Sequence, residues 1–415
     1  MTEPASPAGI VLVLNPGSSS LKAVLYDPAP TLVVGIERLG TDRACWTEAW
    51  AQRPARSSPF TGDLADGVGR LAALLSDRGV HLDAVAHRVV HGGPMFDRAT
   101  AITEDVREML AGLVVWAPLH LPGDLASIDA ARSAWPDAAH VACFDTAFHH
   151  TMPEQARRLP LPAQAAALGL RRYGFHGLSV QSILDARPDL GHTVVAHLGS
   201  GCSISAVSEG RSVHNSMSLT PTGGVMSATR SGDLDPAIPL LLLEQPGATP
   251  ATVRTMLDQD SGLAGIAHGL HDVRDLLVVR DQDPAADLAL RVFTRDVAMA
   301  IAAAATALPR WDTLVFTGGI GEHARPIRDQ ICARLTSLRS RPSTNGAAPT
   351  APEDASGVRE LGATGLRVLV VPADEAAVMN REARALLYPA RPEASRIDDD
   401  QLSAVPGPRD RLAPT

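Results

Sequence analysis

The residues of this sequence that could do chemistry gather in short stretches rich in glycine, serine and proline. In "VLVLNPGSSSLKAVLYD", residues 11–27, two apolar runs are joined by Asn15, Pro16, Gly17 and three serines. A two-residue hairpin turn needs fewer polar groups than this. "TVVAHLGSGCSISAVSEG", residues 193–210, follows the same plan with one residue more: apolar run, polar residue (His197 in place of Asn15), a Gly-Ser turn (Gly199-Ser200 in place of Gly17-Ser18), apolar run. Glycines let backbone N–H groups approach a ligand closely and serine hydroxyls add donors, a combination that suits phosphate oxygens. Either hairpin alone reads equally well as a plain turn. The repetition, once in each half of the chain, favours a facing pair able to hold a triphosphate.

Charged and titratable side chains stand in comparable company. "AHRVVHGG" places Arg88 and His91 at the end of an apolar run, and "CFDTAFHH" places Asp145 at the end of another, with His149 and His150 beyond. "RRYGFHGLS" sets His176 between glycines, and "MSATRSGDLDPA" puts Arg230, Asp233 and Asp235 in a turn. Strand ends are where α/β sheets bind ligands. A lone strand-end Arg or His more often serves a salt bridge or a turn, so it is their shared setting at the mouths of apolar runs that points to a site.

The elements that must position these groups are legible as alternation. Strand-like runs ("IVLVLN", "KAVLY", "LVVGIE", "AVAHRVV", "HVACFD", "TVVAHLG", "CSISAV", "TLVFTGG", "LRVLVVPA") alternate with longer helical patterns such as "DLASIDAARSAW" and "ADLALRVFTRDVAMAIAAAATAL". That pattern predicts an α/β protein with mixed sheets. A chain of 415 residues is long enough for two or three domains. Its net charge of −9 and lack of a basic block argue against nucleic acid or an anionic membrane as partner. No apolar run is long enough to span a bilayer. Four scattered cysteines without CxxC spacing indicate neither structural zinc nor a disulfide framework and suit a reducing cytoplasm. "RSRPSTNGAAPTAPEDAS" and the residues beyond Pro389 read as a loop insertion and a disordered tail.

Taken in order, the motifs N-x-G-S-S-S-x-K, H-R-x-V-H-G-G, A-P-L-H, F-D-T-A-F-H-x-T-M-P, R-R-Y-G-F-H-G, H-L-G-x-G, T-R-S-G-D-x-D-P and F-T-x-G-I-G-E run from Asn15 to Glu322. The chain thereby resembles the acetate kinases of the sugar-kinase, heat-shock-protein and actin superfamily, from Val11 to Leu387. The resemblance implies two ribonuclease-H-like domains flanking a nucleotide cleft. The first would span 9–147, joined by a C-terminal helix near 375–388; the second would span 148–374, with residues 390–415 a disordered tail. It implies reversible phosphoryl transfer from ATP to acetate, giving acetyl phosphate and ADP, with Mg²⁺ or alternatively Mn²⁺, in a cytoplasmic homodimer. The alternatives are a propionate or butyrate kinase, or a nucleotide-binding relative without turnover.

Position by position, the resemblance places Asn15 and Glu375 at the metal, Lys22 at a nucleotide phosphate, and Arg88 at the carboxylate substrate. Val90, Leu119, Phe175 and Pro221 would wall the substrate's methyl end. Asp145, His176 and Arg230 take the catalytic positions. The nucleotide loops would be His197, Leu198, Gly199, Ser200 and Gly201; Asp272, Val273 and Arg274; and Gly319, Ile320, Gly321, Glu322 and His323. The sequence departs from the family at Pro16, Leu121, Asp124, Ser200, Cys202, Thr222, Gly223, His323 and Ala376, and none of these departures removes a residue with a proposed charge-handling role.

The residue types suit such a reaction on their own account. Phosphoryl transfer to a carboxylate crowds negative oxygens together, so positive charge and in-line positioning dominate. Arginine's planar fork can hold either anion with two hydrogen bonds. A carboxylate nucleophile is already ionised at neutral pH and needs no general base. Asp145 is therefore expected to orient a metal, a water or an arginine.

Overall fold

The structure, a computed structural model, describes residues 9–17, 20–335, 359–361 and 366–388. The expected loop insertion and terminal tail lie outside these residues. All nine apolar runs form strands. The first sheet comprises β1 (Val11–Gly17), β2 (Ser20–Asp27), β3 (Ala29–Glu37), β4 (Cys45–Trp50), β5 (Arg56–Pro59), β6 (Ala84–Val89), β7 (Thr100–Ala101) and β8 (Ala139–Phe144). Its spatial order is β5-β4-β3-β2-β1-β6-β8-β7. The second comprises β9 (Thr193–Leu198), β10 (Cys202–Ser208), β11 (Arg211–Asn215), β12 (Thr313–Thr317), β13 (Arg359–Leu361) and β14 (Arg367–Val370), in the order β11-β10-β9-β12-β14-β13.

The two sheets share a five-strand plan. β3-β2-β1 are antiparallel neighbours, and β1-β6-β8 are parallel. β11-β10-β9 and β9-β12-β14 repeat both relations. The two Gly/Ser hairpins occupy equivalent places. Gly17 pairs with Ser20 across the first, and Leu198 pairs with Cys202 across the second, where three residues make the turn. The extra residue seen in the sequence is thus a longer turn. The α/β class with two mixed sheets is what the chain adopts.

Helices cover the sheets where the apolar rows require it. Leu64–Ser76 and Leu121–Ala134 bury Leu71, Leu75, Ile128 and Ala131 on one face of the first sheet. The last helix, Glu375–Leu387, returns to the opposite face, where Val378 and Met379 pack on Val11, Val13 and Val24. Pro284–Ala305 is the longest helix among the described residues and carries Leu290, Phe293, Val297 and Ile301 into the core of the second sheet. The helix Gly177–Ala186 lies between the two sheets. Its Leu178 belongs to the core beside β1 and β6, while Val180 and Ile183 belong to the core beneath β9 and β12.

Some elements left no apolar signature. β4 and β5 are partly exposed, and their polar residues ("CWTEAW", "RSSP") give no continuous apolar run, as is common toward sheet edges. Gly318–His323 is a short helix rather than a loop. Gly318 starts it at a φ of 76°, where a Cβ would lie 2.7 Å from the Leu198 carbonyl oxygen, so backbone angle and space both call for glycine.

Candidate active site

A cavity of about 230 Å³ opens where the two hairpins meet. Gly17 and Ser20 of the first hairpin and Ser200 and Gly201 of the second line it. Between them stand Arg88, Asp145, His176 and Arg230, with Val90, Phe175 and Pro221 as apolar walls. These residues come from strand ends and loops more than 200 positions apart, and the paired sheets bring them together.

Arg88 projects from β6 and Asp145 directly follows β8, the parallel neighbour. The guanidinium grips the carboxylate with two nitrogens: Nη2 donates to Oδ2 at 2.5 Å and Nε donates to the same oxygen at 3.1 Å. Nη1 donates to the Pro16 carbonyl at 3.1 Å, tying Arg88 to the first hairpin. Burial works to lower the Arg88 pKa, but Asp145, Glu375 and Asp124 outweigh it, and the guanidinium stays firmly protonated. Burial raises the Asp145 carboxyl; Arg88 opposes, and the negative charge of Glu375 adds to the rise. Among the described residues every side-chain hydrogen bond that Asp145 accepts comes from Arg88, a geometry that suits the orienting of that arginine.

Arg230 approaches from the other side. Its Nη1 donates to the Pro221 carbonyl at 3.1 Å, and its Nη2 donates to His120 Nε2 at 2.8 Å. That second bond requires a neutral His120 with its proton on Nδ1. Burial, followed by the charges of Arg230 and Arg88, holds His120 down to about 3. Two N–H groups of the Arg230 fork are thus occupied, and the others are left for an anion. Sequence reasoning did not assign His120 a role, although its A-P-L-H motif was visible.

His176 caps the helix Gly177–Ala186 in the left-handed region, φ 58°, which is uncommon for a side-chain-bearing residue. The turn aims the ring into the cavity, where Nδ1 pairs with Ser203 Oγ at 2.9 Å. The His176 ring stacks on His197, with centroids 4.1 Å apart, and His197 Nδ1 pairs with Ser179 Oγ at 2.8 Å. Burial lowers both, His176 far below its ordinary value and His197 to about 4. Both are neutral hydrogen-bonding groups at physiological pH. His91 and His149 are buried and bonded to carbonyls, those of Leu219 and Phe175 respectively, and serve packing.

Asn15 and Glu375 meet: Asn15 Nδ2 donates to Glu375 Oε2 at 2.8 Å, across 360 residues of sequence. Lys22 is exposed and pairs with Asn15 across β1 and β2, so both project from the same face of the sheet. The Asn15 carbonyl and the Glu375 carboxylate form an all-oxygen donor pair suited to a hard cation such as Mg²⁺ or Mn²⁺. Among the described residues no group of three or more His, Cys, Asp or Glu could hold a metal alone. This donor set fits a cation carried mainly by water and nucleotide phosphates.

Other expected residues lie outside the cavity. Leu119 lines a neighbouring cavity of about 420 Å³ that shares His120, Pro221 and Arg230 with the first. Leu198 and Val273 are core residues, so only their backbones are available to a ligand. Asp272 caps the helix Val273–Val279 and pairs with Arg274 at 2.6 Å on the surface. In the helix Gly318–His323, Glu322 folds back to accept from the Gly318 N–H at 3.0 Å, Gly319 has open space around its Cα, Ile320 is half-buried, Gly321 is buried and His323 is exposed.

Comparison with known proteins matches this arrangement along nearly its full length. A family model described as the acetokinase family matches residues 10–381. A protein named acetate kinase from Sulfurovum sp. (strain NBC37-1) is 36% identical over 392 residues, covering 91% of this chain and 98% of its own. The crystal structure of a propionate kinase from Francisella tularensis is similar with a TM-score of 0.80 and 30% identity, covering 90% of this chain and 98% of that one. That of Porphyromonas gingivalis acetate kinase gives a TM-score of 0.75 and 28% identity, with 92% and 100% covered.

Proposed function

This chain belongs to the acetokinase family, and from that premise we propose that it transfers the γ-phosphoryl group of ATP to acetate, reversibly, in the cavity between the two hairpins. The observation that carries the reading is the convergence of two arginines from separate motifs on one cavity of about 230 Å³ with apolar walls. The space suits a short carboxylate beside a phosphoryl group.

In this reading Arg88, locked by Asp145 and the Pro16 carbonyl, holds the acetate carboxylate, whose methyl faces Val90, Phe175 and Pro221. Leu119 closes the wall only from the neighbouring cavity. A carboxylate oxygen attacks the γ-phosphorus in line, the bond to the β-phosphate bridging oxygen breaks, and ADP leaves. The nucleophile carries no proton, and every imidazole at the cavity is neutral, so no base is required. Arg230 and His176 face the charge that builds on the equatorial oxygens, the condition under which preorganised donors accelerate transfer most. Asn15 and Glu375 would hold Mg²⁺ through oxygen, and the cation would supply charge neutralisation at the β- and γ-phosphates.

We read the hairpin segments His197 to Gly201, together with Lys22, Asp272 to Arg274 and Gly319 to His323, as nucleotide contacts. The two sheets support a division into lobes of 9–147 with the last helix, and 148–374. Exposed Leu240, Leu241 and Leu243 offer an apolar face for a second copy of the chain, consistent with a homodimer. Free thiols at Cys45, Cys143 and Cys202 favour the cytoplasm, and among the described residues no helix is long and apolar enough to cross a membrane. Propionate is the second reading, supported by the likeness to the Francisella propionate kinase. The test is trapping of acyl phosphate formed from Mg·ATP with acetate, propionate or butyrate; failure with all three would end the proposal.

A further inference from the structure

Asp124 is a buried carboxyl group for which the reaction above has no use. It lies in the first turn of the helix Leu121–Ala134, is 2% exposed, and accepts the Val90 N–H at 2.9 Å. Val90 is itself a wall of the substrate cavity. The charged groups that face Asp124 from packed elements are Arg88 on β6 and Asp145 after β8. The neighbouring titratable groups are quiet. His91, next to Val90, is held down to about 4 by burial and bonds to the Leu219 carbonyl. His120, at the head of the same helix, is held neutral against Arg230, and Asp129 further along it is paired with Arg107.

We propose that Asp124 is a positioning residue for the carboxylate substrate: it anchors the Val90 wall and, by gaining or losing one proton, sets how much of the Arg88 charge an anionic substrate meets. The inference rests on reading the cavity as the carboxylate site. Both protonation forms keep an oxygen able to accept from Val90, so the wall stays while the charge changes. Burial pushes the Asp124 carboxyl up to about 7, with Arg88 the main opposing influence. Below that pH it is neutral, and Arg88 is balanced by Asp145 and Glu375. Above it a further anion sits beside Arg88 and repels the incoming carboxylate. A simple carboxylate is ionised throughout this range, so a change in its affinity near neutrality originates in the protein.

The experiment is the KM for acetate and kcat between pH 6 and 8.5 at saturating Mg·ATP, for the wild type and Asp124→Asn, which keeps the acceptor and loses the charge. The wild-type KM should rise roughly three- to tenfold, as one unit charge in a partly screened site would produce, with kcat nearly unchanged. Asp124→Asn should show a flat, low KM. A flat wild-type KM, or a slope that survives in Asp124→Asn, overturns the proposal and leaves the kinase reading standing; no acyl phosphate at any pH removes both. Because the variant could fail to fold, a second measurement uses the wild type alone. Calorimetry of acetate binding with Mg·ADP, in two buffers of different ionisation enthalpy near pH 7, should reveal a fraction of a proton taken up per acetate. No uptake overturns the proposal.

Discussion

Replacing Arg230 with alanine should cut turnover by roughly two to three orders of magnitude while leaving the fold intact. The guanidinium is half-buried between Pro221 and His120, and only one N–H on each terminal nitrogen is engaged, at 3.1 and 2.8 Å. The rest of the fork points its charge at the cavity. Deleting one preorganised donor of this kind costs on the order of 3 to 4 kcal/mol of transition-state stabilisation, or roughly 10² to 10³ in rate at 1.36 kcal/mol per decade. The loss should fall on kcat and on kcat/KM alike, because the developing phosphoryl charge is strongest in the transition state. Stability should change little. The two acceptors left behind, on Pro221 and His120, belong to residues that line the cavities, where water can replace the lost donor, and burial already holds the Arg230 cation below its ordinary pKa, so its removal also relieves a desolvation cost. The melting temperature should stay within about 4 °C of wild type. Arg230→Lys keeps the charge without the fork and should fall between the two. Coupled ADP release and acyl phosphate trapping would give the rates, and differential scanning calorimetry the stability. Arg230→Ala with near-wild-type kcat would refute the assignment of this arginine to the reacting phosphoryl group.

Val90→Ala should raise the propionate-to-acetate ratio of kcat/KM several-fold, since one methylene in an apolar pocket is worth about 1 to 3 kcal/mol; an unchanged ratio would shift the methyl site toward Leu119. Gly201→Ala places a Cβ 2.9 Å from Arg230 Nη1, so the guanidinium must move, and kcat should drop about tenfold or more with little loss of stability. Wild-type kinetics in that variant would show that the second hairpin does not meet the reacting groups. Mg²⁺ should bind measurably only together with nucleotide, and Glu375→Gln should raise the Mg²⁺ concentration needed for half-maximal rate; tight stoichiometric Mg²⁺ binding to nucleotide-free protein in calorimetry would contradict the Asn15–Glu375 assignment. Because each hairpin lines only part of the cavity, ADP, acetate and a planar phosphate mimic should compact the molecule in small-angle scattering, and an unchanged radius of gyration would count against closure.

The amino-acid sequence by itself determined the elements and the kinds of chemistry. Apolar runs ending in Arg88, Asp145 and His197 announced strand ends, because continuous apolar stretches fit a sheet covered by helices on both faces. The duplicated hairpin was legible as a repeated pattern of residues, down to the longer second turn. Polar strands such as β4 and β5 were not, since strands at or near an exposed edge leave no apolar run. The meeting of Asn15 with Glu375 came only from family resemblance, and no local pattern spans 360 residues. His120 against Arg230 and Asp124 beneath Val90 were missed for a related reason. Both side chains sit at the start of one helix, and what they touch depends on which strand that helix covers and on how a loop from the second half folds back over it. Periodicity reports which face of an element is buried; sheet order and the crossing of the chain decide what it is buried against. The low, neutral state of His176 and His197 and the raised carboxyl of Asp124 follow from that burial, so only the tertiary structure decided them.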